Sequence, residues 1–393
     1  MSVGHGACAP APAGHPFSRV CARGHDAAAP RYSFEELDQA VSRFTSPSSG
    51  ASGRWRDWLA RAVDVRSDLR EGTQEAACKL MHTRRIQRTA ALVLRGKNVA
   101  QTQPLSMEWQ QKVASNYREN IICPLRALGY RVLTLVTTYN ATWPLDPKAP
   151  GSRSGGNGQT ENALASVASA LQSHGHIVPH LTAIDFANSS MVRAMVSSVM
   201  SLYRFMHEGP RIDFFILTRL DHLFKQPLTQ LPGMRLQGAI NLAFKEGDNK
   251  IWRHLGNTSA SVDAFFARDA RVSDAVFAFD AAWLPWFVLS LVRWVEQIEG
   301  DPFGEHKMHR FFGRLRQHVP LHNLSFLVEG FFSSRSDVPN PVFEIVPPRL
   351  SRLWLTRCAS IRDFEFDPVT RRSCCAAAGA AICPPYVYRG SKR

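Results

Sequence analysis

The chain has 393 residues, 45% of them hydrophobic, which is enough for about two to three domains and for a large buried core. It carries 47 Lys and Arg against 33 Asp and Glu, a formal net charge of +14. This excess favours anionic partners such as nucleotide phosphates, nucleic acid or an anionic membrane surface. The cations are spread along the chain without a basic block that alternates with aromatic residues, which argues against a specific nucleic-acid-binding protein.

The amino-terminal part of the chain lacks the pattern of a folded domain. Residues 1–53 are rich in Ala, Gly, Pro and Ser and predict a disordered, low-complexity or targeting segment without the apolar centre of a signal peptide. Apolar residues at helical spacing then predict a helical segment over residues 54–84. The most apolar stretch, residues 283–295, is shorter than the roughly 20 residues of a membrane-spanning helix, so we expect no membrane span.

The cysteines and glycosylation sequons leave the cellular compartment open. The chain has 8 cysteines and no CxxC spacing, which disfavours a zinc ribbon. A cluster near the carboxyl terminus suits either disulfides or reduced thiols; it consists of Cys358, Cys374, Cys375 and Cys383. Asn-x-Ser/Thr sequons permit a secretory location without requiring it; they begin at Asn140, Asn188, Asn257 and Asn323. Residues 351–393 predict an irregular, basic tail.

Strand and helix patterns alternate over residues 85–350 and predict an α/β domain. Apolar runs at 90–94 and 130–139 flank a helical pattern over 106–128, with Ser106 as a possible N-cap. Strand, helix and strand in this order predict a parallel pair with a right-handed crossover. Further helices are predicted over 161–173, 188–207 and 283–298, and further strands over 177–184, 212–217 and 275–279. We therefore expect a mostly parallel central sheet with helices on both faces.

The stretch RIDFFILTRLDHLFK, residues 211–225, is central to this domain. Its continuous apolar run predicts a strand buried on both faces, and the run stops at Arg219 and Asp221. Ligands of open α/β sheets bind beyond the carboxyl ends of the strands. Asp221 is suited to a divalent metal or a ribose hydroxyl, and Arg219 to a phosphate. The alternative is a surface ion pair that closes the strand.

Other charged residues also fall at the ends of predicted strands, where adjacent parallel strands would bring them into one crevice. They are Arg95, Glu246, Arg271 and Asp274. A mixture of arginines and carboxylates suits a nucleotide diphosphate, neutralised by a metal or by the arginines themselves. The pair His306 and His309 lacks the spacing of a zinc-protease helix, and no GxSxG or GxGxxG sequence occurs, which disfavours those classes of enzyme.

Several short blocks in this order resemble uncharacterised glycosyltransferase-like proteins of algae and other protists, over about residues 88–350. The blocks are LVLRG, ENIICPLRALGYRVLTLVTTYN, FFILTRLDHLFKQPL, NLAFKEGDNKIW, RVSDAVFAF and LVEGFFSSRSDVPNPVFEIV. The resemblance implies a nucleotide-sugar transferase of the GT-A type, in which an acidic motif after a central strand holds a divalent metal and the sugar nucleotide. It implies that Asp221 takes this position beside Arg219, with Glu246, Trp252, Arg271 and Asp274 in the downstream blocks.

The chain departs from that family because Arg219 stands where the first acid of an Asp-x-Asp motif would be. A single carboxylate is a weak site for Mn or Mg, since a hard cation takes several oxygen ligands. Either Asp274 or Glu246 completes a metal site, or arginines replace the metal. In the mechanism that we expect, Arg95 and Arg219 bind the diphosphate, and Asp274 or Glu305 acts as general base on an acceptor hydroxyl.

Alternatives remain open for individual residues and for the whole chain. Trp252 is suited to stacking on a sugar or base, or to a place in the core, and Asp274 to a helix cap. The expected function is transfer of a sugar from a nucleotide-sugar donor to a carbohydrate or protein acceptor. A non-catalytic nucleotide- or carbohydrate-binding protein on the same fold is the alternative. The transferase function implies a Golgi or other secretory lumen, and the alternative a cytoplasmic location.

Overall fold

The computed structural model describes the central domain and a few flanking residues. The described residues are 39, 63–65, 78, 88–96, 104–139, 157–184, 191–208, 210–246, 272–298, 311, 315, 319, 321–329, 331–332, 341–345, 364–367 and 372–375. The helices are α1 (Pro104–Tyr117), α2 (Cys123–Ala127), α3 (Asn157–Ser173), α4 (Met191–Glu208) and α5 (Leu284–Ile298), with a π-helical turn (Arg118–Ile122) between α1 and α2. The first seven strands are β1 (Val63–Val65), β2 (Arg88–Gly96), β3 (Tyr130–Tyr139), β4 (Ile177–Ile184), β5 (Phe214–Arg219), β6 (His222–Phe224) and β7 (Ile240–Leu242). The others are β8 (Lys245–Glu246), β9 (Val276–Asp280), β10 (Leu324–Phe326), β11 (Phe331–Phe332), β12 (Phe343–Ile345), β13 (Phe364–Asp367) and β14 (Arg372–Cys375).

The main sheet has eight strands in the order β1-β4-β3-β2-β5-β9-β7-β10. Strands β4, β3, β2 and β5 are parallel to one another, and β10 is parallel to β7. Strand β9 is antiparallel to both β5 and β7, and β1 is antiparallel to β4. The fold is therefore α/β with a mostly parallel sheet, as the sequence predicts.

Helices cover both faces of this sheet because its central strands are apolar on both sides. In β2, Ala91 and Val93 pack with apolar residues of α4 and α5 in one core cluster. Leu92 and Leu94 pack with residues of α1, the π-helical turn and α3 in a second cluster on the other face. A strand that is covered on both faces needs a continuous apolar run, which explains the composition of β2 and β5.

Most of the predicted elements of the domain are confirmed, but three local predictions are wrong. Residues 63–65 form a strand inside the segment predicted as helical, because the β-branched Val63 and Val65 extend the sheet edge beside β4. Helix α1 begins at Pro104, so Ser106 is not its N-cap; proline suits the first turn of a helix because its missing N–H needs no partner there. The tail contains the antiparallel pair β13 and β14 where the sequence predicted irregular structure.

A disulfide joins Cys78 to Cys123 at the start of α2. No pattern in the sequence indicated this pair, whose cysteines are 45 residues apart, and the cysteine spacing instead drew attention to the cluster near the carboxyl terminus.

Asn323, which begins one of the sequons, is 6% exposed and donates its side-chain N–H to the Gly238 carbonyl oxygen at 2.7 Å. Its carboxamide is therefore part of the hydrogen bonding of the fold.

Candidate functional site at the carboxyl ends of β2 and β5

The strand order reverses between β2 and β5, and in open α/β sheets a reversal of this kind forms a crevice at the carboxyl ends of the strands. From β2 the chain passes through α1 to β3 and through α3 to β4, moving in one direction across the sheet. Helix α4 then returns the chain to β5, on the opposite side of β2. Ligands of open α/β sheets bind at such a reversal, and the last register pair of β2 and β5 there is Arg95 with Arg219.

Arg219 and Asp221 form a two-bonded ion pair at the end of β5. The Nε of Arg219 donates to Oδ1 of Asp221 at 2.8 Å, and Nη2 donates to Oδ2 at 2.6 Å. The Leu220 amide donates to the Arg95 carbonyl oxygen at 3.0 Å, which continues the pairing with β2 by one residue. The chain then turns at Leu220 and Asp221. The two side chains are 23% and 11% exposed, so the guanidinium group is the more accessible partner.

Arg95, the register partner of Arg219, is only 1% exposed, so its side chain is buried inside the fold. Its Nη2 donates to the backbone carbonyl oxygen of Asp274, which lies just before β9. Arg95 therefore connects the end of β2 to the approach to β9, and its positive charge acts on His222 beyond the end of β5. The sequence predicts that Arg95 binds the diphosphate and does not predict its burial.

Asp274 is 6% exposed, and its Oδ2 is a buried oxygen with no hydrogen-bond partner among the described residues. Buried carboxylate oxygens are nearly always hydrogen-bonded in folded proteins, so an oxygen of this kind calls for a specific donor. A hydroxyl group of a ligand is such a donor. The Arg95 contact holds the Asp274 backbone next to the end of β2, and the carboxylate has an acceptor atom that the described part of the protein does not use.

His222 lies behind Asp221 and is fully buried. Its Nδ1 is 3.3 Å from the Thr218 hydroxyl, and its ring stacks on that of Phe343 in β12 with 4.2 Å between centroids. Burial lowers the pKa of His222 to about 3, although the Asp221 charge acts in the opposite direction. The ring is therefore neutral at physiological pH, and the 3.8 Å approach of its Nε2 to Asp221 is a dipolar contact instead of an ion pair.

Three side chains of α1 and the π-helical turn hold the segment around Asp221 in place. The Tyr117 hydroxyl donates to the Arg219 carbonyl oxygen. Asn116 accepts from the Phe224 amide at 2.7 Å and donates to the Phe224 carbonyl oxygen at 2.9 Å, and Asn120 donates to the same carbonyl at 3.1 Å. We call Asn116, Tyr117 and Asn120 the clamp. The sequence does not predict it, and the available signal was two asparagines four positions apart, one at the end of α1 and one in the π-helical turn.

The structure brings together four of the predicted site residues: Arg95, Arg219, Asp221 and Asp274. Glu246 ends β8, which the Lys245–Val272 bridge places beside the segment that leads to Asp274; the Glu246 side chain lies outside the described residues. The remaining predictions, Trp252, Arg271 and Glu305, also lie outside the described residues. Their roles stay predictions.

The described residues do not fit a divalent cation at Asp221. Both of its carboxylate oxygens accept hydrogen bonds from Arg219, which leaves a cation to compete with a guanidinium group. A hard cation takes at least about six oxygen ligands, several of them from protein. Among the residues that the structure describes, no group of three or more His, Cys, Asp or Glu side chains is placed to hold a metal ion.

Comparisons with known proteins identify no family. No family model matches the chain, and no match is found among curated proteins. One similar solved structure is the crystal structure of mannose-1-phosphate geranyltransferase from Thermus thermophilus, which is 13% identical. The similarity covers 64% of this chain and 75% of that chain, with a TM-score of 0.29, and carries no argument about function. Within the described residues, no helix has the length and apolar character needed to cross a membrane.

Proposed function

We propose that this protein is a GT-A-type glycosyltransferase that binds a nucleotide-sugar donor at the carboxyl ends of β2 and β5. The observation that carries the proposal is the meeting of Arg95, Arg219, Asp221 and Asp274 at the point where the strand order reverses. Guanidinium groups beside carboxylates are suited to a ligand that combines a diphosphate with sugar hydroxyls. The net charge of +14 favours the approach of such an anion.

Each of the four residues has a role that follows from its position. Arg219 is the accessible cation and would bind the diphosphate and stabilise the charge that develops on the leaving nucleotide. Arg95 would hold the Asp274 backbone in place and add positive charge from below the ligand. Asp221 would orient Arg219 and, in the nucleotide complex, accept a hydrogen bond from a ribose hydroxyl.

Asp274 would act as the general base. Its Oδ2 would remove the proton of an acceptor hydroxyl while that oxygen attacks the anomeric carbon of the donor sugar. The bond from the anomeric carbon to the diphosphate breaks in the same step, and its electron pair leaves with the nucleotide diphosphate. This direct displacement inverts the configuration of the sugar. Glu305 remains the other candidate base from the sequence.

A non-catalytic nucleotide- or carbohydrate-binding protein is the second candidate. It is favoured by the Arg219–Asp221 ion pair, which partly neutralises the charge on which the transferase would depend. Ligand binding without donor hydrolysis or transfer would support this candidate over the first.

The Cys78–Cys123 disulfide bears on the compartment. Disulfides form and persist mainly in oxidising compartments such as the secretory pathway and the extracellular space. This pair supports the proposal that the protein works in a secretory lumen such as the Golgi, where nucleotide-sugar transfer to carbohydrate or protein acceptors takes place.

The test is a release assay in which the protein is incubated with uridine- and guanosine-diphosphate sugars, with and without a panel of sugar acceptors. We expect release of nucleotide diphosphate by the wild type and a loss of about 100-fold or more in Asp274→Asn, the usual effect of removing a general base. Asp213→Asn is the matched control, because Asp213 lies just before the amino end of β5, the end opposite to the crevice. Activity that survives Asp274→Asn, or no release from any donor, would contradict the proposed role.

A further inference from the structure

We propose that Arg219 is a built-in cation for the donor diphosphate, so that the crevice binds a nucleotide diphosphate without a divalent metal ion. This inference rests on the proposed function and specifies how its ligand is held. It concerns the place where the family that the sequence resembles would have the first acid of its Asp-x-Asp motif.

The first step is the occupation of the Asp221 carboxylate. Two bonds of 2.8 and 2.6 Å join the guanidinium edge of Arg219 to both carboxylate oxygens. Such two-bonded, charge-assisted pairs are among the strongest hydrogen-bonded contacts in proteins. A metal ion at Asp221 would have to displace this guanidinium group, and the described residues provide no ligand cluster that would offset its removal.

The second step is access. Of the two arginines, Arg95 is 1% exposed, whereas the Arg219 side chain is 23% exposed. Arg219 is therefore the cation of this group that a ligand reaches from the crevice. A guanidinium group has five N–H donors in a plane, so one group is able to serve a carboxylate and a phosphate together.

The third step is rigidity. The clamp residue Tyr117 binds the Arg219 carbonyl oxygen, and the Leu220 amide is paired with Arg95. The backbone that carries the guanidinium group is thus fixed by hydrogen bonds at the peptide unit that follows its Cα atom. Ordering Arg219 before the ligand arrives reduces the entropy lost on binding, which is the advantage that a preorganised site has over a flexible surface arginine.

A second Arg-x-Asp pair in the same chain shows that the spacing alone does not create this arrangement. Arg211 and Asp213 precede β5, and their Nε–Oδ1 distance is 3.3 Å. The Arg211 side chain is 40% exposed, and Oδ2 of Asp213 accepts a hydrogen bond from the Thr89 amide. This pair lies at the amino end of the strand, away from the crevice, and provides a matched control.

The experiment measures uridine- and guanosine-diphosphate binding by isothermal titration calorimetry, in EDTA and in Mn²⁺. We expect the wild-type Kd to agree within about twofold between the two conditions, and Arg219→Ala to weaken binding at least about tenfold, the loss typical of a charged hydrogen bond. Arg211→Ala should leave the Kd unchanged. A circular dichroism melt of each variant confirms that it is folded.

A converse variant tests the position of the cation directly. Arg219→Asp removes the guanidinium group and places two carboxylates at residues 219 and 221, a better set of oxygen ligands for a divalent ion. We expect this variant to bind Mn²⁺ by electron paramagnetic resonance, and its nucleotide binding to require Mn²⁺. Arg211→Asp should show neither change.

The possible outcomes separate this inference from the proposed function. Nucleotide binding by the wild type that EDTA abolishes would overturn the inference and leave the proposed function in place. Mn²⁺ bound by the wild type and lost in Asp221→Asn would also overturn it. Absence of nucleotide binding in both conditions would contradict the proposed function together with the inference.

Discussion

Arg95 and Arg219 are register partners in neighbouring parallel strands, and one is buried while the other reaches the crevice. The buried residue donates to the Asp274 carbonyl oxygen, and the exposed residue binds Asp221. Two arginines at equivalent positions thus have different environments: Arg95 is buried against the Asp274 backbone, and Arg219 is the more accessible of the two.

The buried contact gives the first prediction. We expect Arg95→Lys to lower the free energy of unfolding by about 1–3 kcal/mol, because lysine keeps the charge but not the reach and geometry of the guanidinium fork. Thermal denaturation measures the loss. Arg88→Lys is the control at the other end of β2, where Arg88 is only partly buried and contacts the Tyr130 hydroxyl at 3.3 Å. A larger loss in the control would show that the Asp274 contact contributes little.

The clamp gives the second prediction. Replacing Asn116 and Asn120 together by alanine removes three hydrogen bonds to the Phe224 backbone, so we expect amide exchange of the 219–225 segment to become faster. Hydrogen–deuterium exchange measures this with no ligand present. Glu119→Ala is the control in the same turn, because Glu119 is exposed and contacts only neighbouring side chains in the bonds observed. Equal protection of the segment in both variants would show that the clamp does not hold it.

A pair of glycines gives the third prediction. A Cβ atom at Gly233 would lie 1.7 Å from the backbone carbonyl oxygen of Phe326, and the Gly233 amide is hydrogen-bonded to the next carbonyl, that of Leu327. We expect Gly233→Ala to cost at least about 3 kcal/mol or to prevent folding. Gly238 has open space but a φ of +65°, so Gly238→Ala should cost only about 1–2 kcal/mol. Urea unfolding compares the two, and similar costs would contradict the close approach at Gly233.

Two buried histidines give the fourth prediction. Burial lowers the pKa of His222 to about 3 and that of His176 to about 4, from 6.5 in the unfolded chain. Below pH 6.5 the unfolded chain therefore binds more protons than the folded protein, so stability is complete above this pH and falls on acidification towards pH 4. Each histidine contributes a slope of up to about 1.4 kcal/mol per pH unit in this window.

His176→Asn is the variant that tests this slope. His176 donates to the Ala114 carbonyl oxygen at 2.9 Å and lies 3.2 Å from the Thr134 hydroxyl, a neutral arrangement that asparagine partly reproduces. We expect the variant to be less stable at pH 7.5 and to lose less stability than the wild type between pH 6.5 and 4.5. Equilibrium urea unfolding at several pH values measures both. A slope equal to that of the wild type would contradict neutral burial of His176.

The sequence predicts the fold well because strands that are buried on both faces of the sheet are continuously apolar in sequence. The run from Phe214 to Leu217 is apolar at every position and becomes the central strand β5. The antiparallel direction of β9 could not be predicted in this way, because a buried strand at Val276–Phe279 would be equally apolar in either direction. Edge strand β1 was missed because three residues are too few to outweigh the surrounding helical pattern.

The candidate site was predicted only where it coincides with a strand end. Arg219 and Asp221 follow an evident strand, so their position could be inferred from local sequence. The clamp could not, since the contacts of Asn116 and Tyr117 join residues 108 and 102 positions apart. The burial of Arg95 was also unpredictable, because arginine is usually exposed and the Asp274 carbonyl oxygen that it contacts is 179 positions away in the sequence.

The location of the ligand is tested most directly by comparing Asp221→Ala with Asp213→Ala in calorimetric titrations with uridine and guanosine diphosphate. Both substitutions remove the acid of an Arg-x-Asp pair beside β5, but only Asp221 lies at the proposed crevice. We predict that Asp221→Ala, which releases Arg219 from its ordered position, weakens nucleotide binding at least about tenfold, whereas Asp213→Ala leaves it unchanged. Equal affinities in the wild type and Asp221→Ala would contradict the placement of the ligand at this end of the sheet.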